Sequence, residues 1–161
     1  MYLLDANVFI AAKNLHYGFD FVPAFWEWLD HGHSAGLLCS IDAVGAELAV
    51  IADELAAWGA ARRPLFLQPD EAMLPSLRAL ANWAGSGEFT PSAVQTFLSS
   101  ADYQLVAYAH AHGHVVVTHE RPAPDARKRI RIPDACVAMG VIWTDPFTML
   151  RREQARFVLQ R

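Results

Sequence analysis

Four acidic residues, Asp5, Glu47, Asp102 and Glu120, stand where a carboxylate is costly unless something uses it. Asp5 ends the apolar run Met1-Tyr2-Leu3-Leu4 and is followed at once by Ala6-Asn7-Val8-Phe9-Ile10. That pattern predicts a short buried strand, one acid, and the start of a helix. In an open α/β sheet, ligands gather outside the carboxyl ends of the strands, which makes such an acid a site candidate. Its simpler role is a helix N-cap, because Asp accepts backbone N–H bonds well. At about 100° per residue, Asp102 falls between Leu105, Val106 and Ala109, in the middle of a face that should be buried. It too has a simpler role, capping after Ser99, which is compatible with holding a metal. Glu47 lies roughly 60° from Val44 and 40° from Ile51, at the border of its apolar stripe. Asp53 points directly away from that stripe and reads as surface. Glu120 follows Val115-Val116-Val117, with Thr118 at the same strand end.

Parallel strands place their carboxyl ends on one side, so Asp5 and Glu120 share an edge and the four acids line one pocket. Carboxylates so close repel one another unless divalent cations neutralise them. Oxygen-only ligands suit Mg²⁺ or Mn²⁺ rather than zinc. One or two such ions activate a water and stabilise the leaving oxygen in phosphodiester hydrolysis. Thr118 is placed to orient a carboxylate or a water at the metal.

The elements that must position these residues are legible in outline. Short apolar runs without alternation, at Tyr2–Leu4, Leu37–Ile41, Leu65–Leu67, Val115–Thr118 and Val141–Trp143, predict strands buried on both faces. Helical patterns separate them. Asp20 and Pro23 open one carrying Phe25, Trp28 and Leu29. Asp42 caps another, whose Val44, Leu48, Ile51, Leu55 and Trp58 form one stripe. Pro69-Asp70-Glu71 begins a third, broken at Gly85-Ser86-Gly87, and Thr90-Pro91 restarts a short helix through Leu98. Ser99 or Ser100 starts the next, which ends at Gly113, and Asp145-Pro146 begins the last. Strands alternating with helices predict an α/β fold, a three-layer α/β/α sandwich around a central parallel sheet. No internal repeat or interdomain linker interrupts the chain, so residues 1–161 are expected to form one domain.

With 161 residues, 53% hydrophobic and 19% charged, the chain is long enough for one real core and too apolar for disorder. No apolar run approaches a membrane span and no secretory signal pattern is present, which predicts a cytoplasmic protein without membrane association. Two cysteines, Cys39 and Cys136, give no disulfide framework and no metal-type pair spacing. The net charge of −4 conceals a split. Residues 1–120 hold four Lys/Arg and thirteen Asp/Glu, a net of −9, whereas residues 121–161 hold nine and four, a net of +5. The basic cluster Arg127-Lys128-Arg129-Ile130-Arg131, with Arg121 nearby, borders the acidic pocket and suits contact with a phosphate backbone; its simpler reading is a loop solvated by its charges. For Arg151, Arg152 and Arg156 a solvated terminal helix suffices. His110, His112 and His114 alternate near a helix end, where a zinc site is disfavoured because the helix ends within the run. Trp26, Trp28, Trp58 and Trp83 read as core or dimer surface rather than a base-stacking platform.

The pattern resembles the PIN domain, the fold of VapC-type toxin ribonucleases. The matching pieces are Leu3-Leu4-Asp5-Ala6-Asn7-Val8-Phe9-Ile10, Glu47-Leu48, Ala101-Asp102-Tyr103-Gln104-Leu105-Val106-Ala107, and Val116-Val117-Thr118-His119-Glu120, in that order over most of the chain. The resemblance implies a parallel sheet flanked by helices and a Mg²⁺- or Mn²⁺-dependent ribonuclease centre on Asp5, Glu47, Asp102 and Glu120. It also implies that Asn7 supports Asp5, that homodimers are frequent, and that an antitoxin protein often blocks the site. Glu120 stands where the family usually has Asp, and Asp134, after Arg131-Ile132-Pro133, is a second candidate for that corner. The link from Arg121 to Gly140 exceeds that of a minimal PIN domain and suggests a distinct subfamily. Two other functions compete: a non-catalytic PIN-fold protein-binding module, and a phosphatase with Asp5 as nucleophile. The latter wants an acid two residues on, where Asn7 stands.

Overall fold

The computed structural model describes residues 1–158; the last three residues of the expected domain, 159–161, lie outside it. Five strands, β1 (Tyr2–Leu4), β2 (Leu38–Ile41), β3 (Phe66–Leu67), β4 (Val115–Val117) and β5 (Trp143–Thr144), form one sheet in the order β3-β2-β1-β4-β5. Every neighbouring pair is parallel, with Leu3 opposite Cys39 on one side and Val116 on the other. Successive residues of a strand point to opposite faces. Leu3 and Leu4 are both fully buried, as are Val116 and Val117, so both faces of the sheet are covered.

Among the described residues, nine α-helices supply that cover: α1 (Ala6–Ala11), α2 (Pro23–Ser34), α3 (Asp42–Leu48), α4 (Glu54–Ala60), α5 (Leu74–Ala84), α6 (Pro91–Leu98), α7 (Ala101–His112), α8 (Ile132–Met139) and α9 (Pro146–Arg152). This is the expected three-layer α/β/α, PIN-like architecture. Helix α7 packs against α3, α5 and α8 and lies over β4 and β2, and α2 packs on β2. One continuous core joins the layers, with Phe9, Phe25, Leu29, Leu105 and Ile132 fully buried. Trp26 and Trp58 belong to it, their rings 5.0 Å apart, while Trp28 and Trp83 are partly exposed at its margin. Cys39 and Cys136 are free and buried, and burial pushes each thiol up to about 12, which leaves them unreactive. Among the described residues no helix is long and apolar enough to cross a membrane.

Four local expectations need correction. The stripe from Val44 to Trp58 is two helices, not one. The break falls at Ala49–Asp53 and leaves Ile51 69% exposed. Its cause is Asp53, whose Oδ1 accepts from the N–H groups of Leu55 and Ala56 at 2.9 and 3.1 Å and so starts a new helix. Asp53 is therefore an N-cap rather than plain surface, and it also pairs with Lys13. Asp42 does not cap α3. It is that helix's first residue, and its carboxylate accepts from Gln68. The last strand, expected at Val141–Trp143, starts two residues later, at Trp143. Gly140 takes φ +67° at the end of α8 and the Val141 N–H donates to Cys136 O at 2.8 Å, so the helix cap uses the group a strand would need.

Candidate functional site

The strand order reverses between β1 and β4: β2 and β3 continue to one side of β1, β5 to the other. The carboxyl ends of two strands that diverge in this way leave a crevice. Asp5 enters it from β1. Its N–H donates to Val117 O at 3.0 Å, which extends the β1–β4 ladder by one residue and fixes where the side chain leaves the sheet. Beside it, the buried Ser40 hydroxyl donates to Leu4 O at 2.6 Å.

Although Asp5 occupies the N-cap position of α1, its side chain makes no capping hydrogen bond. The carboxylate instead accepts from the Thr118 hydroxyl at 3.0 Å, and the same hydroxyl accepts from the Glu120 N–H at 3.1 Å. Thr118, fully buried, thus ties the first acid to the backbone of the fourth. Asp5 is only 2% exposed. Burial, reinforced by the charges of Asp102 and Glu120, pushes its carboxyl up to about 7, against the pull of Thr118 and the nearby Ala6 amide.

Asp102 arrives from the first turn of α7, and its helix has no side-chain cap, so capping does not explain it. Burial, then the charges of Glu120 and Glu47, push its carboxyl up to about 6, with Arg129 opposing. Glu47 is placed at the rim by α3. Partial burial raises its pKa while the Ala101 amide holds its charged form. Glu120 is 8% exposed and both of its oxygens are engaged. Oε1 accepts from Arg129 at 2.5 Å, with Arg131 4.0 Å away, and Oε2 accepts from the Ile132 N–H at 2.7 Å. Asp5 and Asp102 are the two acids whose charge the protein leaves least compensated, and Asp102 also feels Glu120 and Glu47.

The remaining candidates fall in different places. Asn7 is exposed in the first turn of α1, with no side-chain hydrogen bond among the described residues. Asp134 sits in the first turn of α8, where both oxygens accept from the Ala123 N–H, so it holds the long loop rather than facing the other acids. Arg127 is paired with Glu88 and donates to Glu88 O, and its own carbonyl accepts from the Thr90 N–H. Arg121 lies on the other side of the strand end, among His119 and Asp145. Of the basic cluster, Lys128 and Arg129 line a cavity together with Asp102. In the histidine run, His110 meets Ser76 and His112 meets Asp70, with the His112 and His114 rings 5.8 Å apart.

The sequence family is decided by residues 2–157, which match the model described as "Domain of unknown function (DUF4411)". The chain belongs to that family. No curated protein matches this DUF4411 chain. Among solved structures it is similar to the crystal structure of FitAcB from Neisseria gonorrhoeae, with a TM-score of 0.51 and 18% identity over 91% of this chain and 99% of that one. At that identity the likeness shows the fold alone.

An ion in this DUF4411 site would meet a donor set made only of oxygen, the chemistry that Mg²⁺ and Mn²⁺ prefer. Burial first, and neighbouring carboxylates at Asp5 and Asp102, disfavour the charged forms of Asp5, Glu47 and Asp102, and a cation would offset that cost. Among the described residues, however, no group of three or more His, Cys, Asp or Glu side chains is placed so that it could hold an ion. The fit is to a cation held by one or two carboxylates that keeps several waters, as Mg²⁺ commonly does. Asp5 and Asp102 would hold it, with Glu47 at the rim and Glu120 restrained by Arg129. Sequence reasoning had no means of finding the Ile132 N–H behind Glu120, or the cluster of His16, His119 and Phe147 with ring centroids 5.2 to 5.8 Å apart. His16 ends a π-helical turn, Ala12–His16, which no side-chain periodicity announces.

Proposed function

We propose that the protein is a Mg²⁺- or Mn²⁺-dependent ribonuclease, and that it acts as the toxin of a type II toxin–antitoxin pair. The observation that carries this reading is the convergence of Asp5 and Asp102, both with raised pKa, at the reversal of the strand order, beside a cavity that Lys128 and Arg129 share with Asp102. When bound, a divalent cation there supplies a nucleophile at neutral pH and neutralises charge on the phosphodiester. The chain's own residues do the rest. Asp5 and Asp102 provide the anionic seat, Thr118 fixes the orientation of Asp5, and Glu120 holds Arg129 at the edge of the pocket. Arg129 and Lys128 attract and place the phosphate backbone. RNA as substrate, a blocking antitoxin and a homodimer follow from the resemblance to VapC-type PIN domains. A cytoplasmic location accords with that role.

The test is cleavage of a single-stranded RNA panel by the full chain with Mn²⁺ and with chelator. Wild type should cut only with metal. Asp5→Asn or Asp102→Asn should lose activity by about a hundredfold or more, since amides keep the shape and remove the charge that seats the cation. Glu120→Gln should fall between, because that carboxylate already has an arginine partner. One observation favours the alternative of a non-catalytic binding module: Glu120 is fully engaged by protein donors. Intact RNA in every metal-loaded reaction would favour that module instead.

A further inference from the structure

Beyond the acids, the crevice opens into a cavity of about 310 Å³ between α6, the start of α7 and the β4–α8 loop. Its walls are chemically sorted. Ser92 and Thr96 contribute hydroxyls from α6, Lys128 and Arg129 contribute cations from the loop, Asp102 contributes the acid, and Phe97 gives an apolar surface. Ser92 and Thr96 are four residues apart, hence one turn apart on the same helix face. Both are exposed, and neither side chain has a hydrogen-bond partner among the described residues. Lys128 is likewise exposed and makes no ion pair among the described residues. The loop that presents it is clamped on both sides, by Thr90 N–H on Arg127 O at 2.9 Å and by Ile132 N–H on Glu120 at 2.7 Å. Among the described residues, an unpaired cation and two unpartnered hydroxyls thus line a cavity that also reaches Asp102.

We infer that this cavity is a subsite for the nucleotide next to the scissile phosphate of a single-stranded RNA. Lys128, Ser92 and Thr96 bind that nucleotide's phosphate. The inference rests on the ribonuclease reading and deepens it by requiring a polynucleotide rather than a mononucleotide. The volume sits at the small end of ligand pockets, about 300 to 1,000 Å³, which suits one nucleotide. Any anion placed there lies against Asp102, a carboxylate that would repel it unless the neighbouring cations, or a metal at the acids, offset the charge. A backbone that runs past Lys128 and across the acid centre meets that requirement at each phosphate. Duplex RNA does not, since its backbone is held in a helix that a cavity of one nucleotide cannot follow.

The experiment is fluorescence anisotropy of a labelled ten-nucleotide single-stranded RNA with the full chain, in chelator and in Ca²⁺ to suppress cleavage. Lys128→Ala, and separately Ser92→Ala combined with Thr96→Val, should each weaken binding by about five- to tenfold, the worth of one good polar contact. Lys128→Ala should also flatten the salt dependence by about 0.7 in log–log slope. Melting temperature and Mn²⁺ affinity should stay at wild-type values, and Arg151→Ala on α9 should bind RNA normally. Unchanged RNA affinity in both α6 and Lys128 variants would overturn the subsite while leaving the ribonuclease reading intact. Equal competition by a duplex of the same sequence would also overturn it. Failure of the wild type to bind RNA in either condition would overturn the subsite and the ribonuclease reading together.

Discussion

Asp5 is a carboxylate that folding makes harder to ionise. Its pKa in the fold, about 7, lies above the ordinary 3.8, so between those values the native state holds a proton that the unfolded chain has lost. For this group, stability of the metal-free protein is highest below about pH 4, falls as pH rises towards 7, and stays low above that. Asp102, raised to about 6, adds the same sign over a narrower window. Metal-free Asp5→Asn should therefore be more stable than wild type at pH 7.5, by at least about 1 kcal/mol, since each pKa unit is worth about 1.4 kcal/mol. The gap should close by pH 4 in urea unfolding. A variant no more stable than wild type at pH 7.5 would show that burial and the neighbouring acids do not burden the Asp5 charge. Thr118→Val makes a complementary test. It keeps the shape but strips a buried carboxylate of its donor and the Glu120 N–H of its acceptor. Unfolding free energy should drop by about 1 to 3 kcal/mol, the usual cost of orphaned buried polar groups, and RNA cleavage should fall with it. A neutral Thr118→Val would mean that the hydroxyl does not position Asp5.

Elements matter here through where they start and stop. Asp53 restarts the chain as α4 and anchors Lys13, so Asp53→Ala should lower stability by losing the cap. The effect should show in chemical denaturation with metal affinity retained, because α4 carries none of the four acids; lost metal affinity would place Asp53 in the site. The same residue shows how far sequence could go. Its helical angle correctly placed it away from the apolar stripe, but angle alone carries no information on whether the backbone stays helical. The buried strands were legible because Leu3-Leu4 and Val115-Val116-Val117 leave no polar face. The start of β5 was not, since Val141 is as apolar as a strand residue and only the tertiary cap of α8 claims its N–H. Among site residues, Asp102 was conspicuous as a lone charge amid Leu105, Val106 and Ala109. Asp134 looked equivalent to Glu120 by proximity in sequence, yet its first-turn place on α8 directs it to the Ala123 amide.

At the scale of the molecule, the charge split has a spatial meaning. Four acids of the first 120 residues, Asp5, Glu47, Asp102 and Glu120, gather at the carboxyl edge of the sheet, and the long loop after β4 brings cations back to that edge, Arg129 onto Glu120 and Lys128 into the cavity beside Asp102. The segregation was visible in the sequence; which cations are spent on the protein itself was not, because Arg127 and Arg129 differ only in what the fold sets opposite them. The central claim is that this edge is a seat for a divalent cation. Calorimetric titration of Mn²⁺ into the full chain at pH 7.5 tests it most directly, with Asp5→Asn and Asp102→Asn in parallel. Wild type should bind at millimolar metal or tighter, release protons as the raised carboxyls ionise, and gain melting temperature with metal, while both variants should bind weakly or not at all. Absence of binding to wild type, or binding undiminished in both variants, would contradict it.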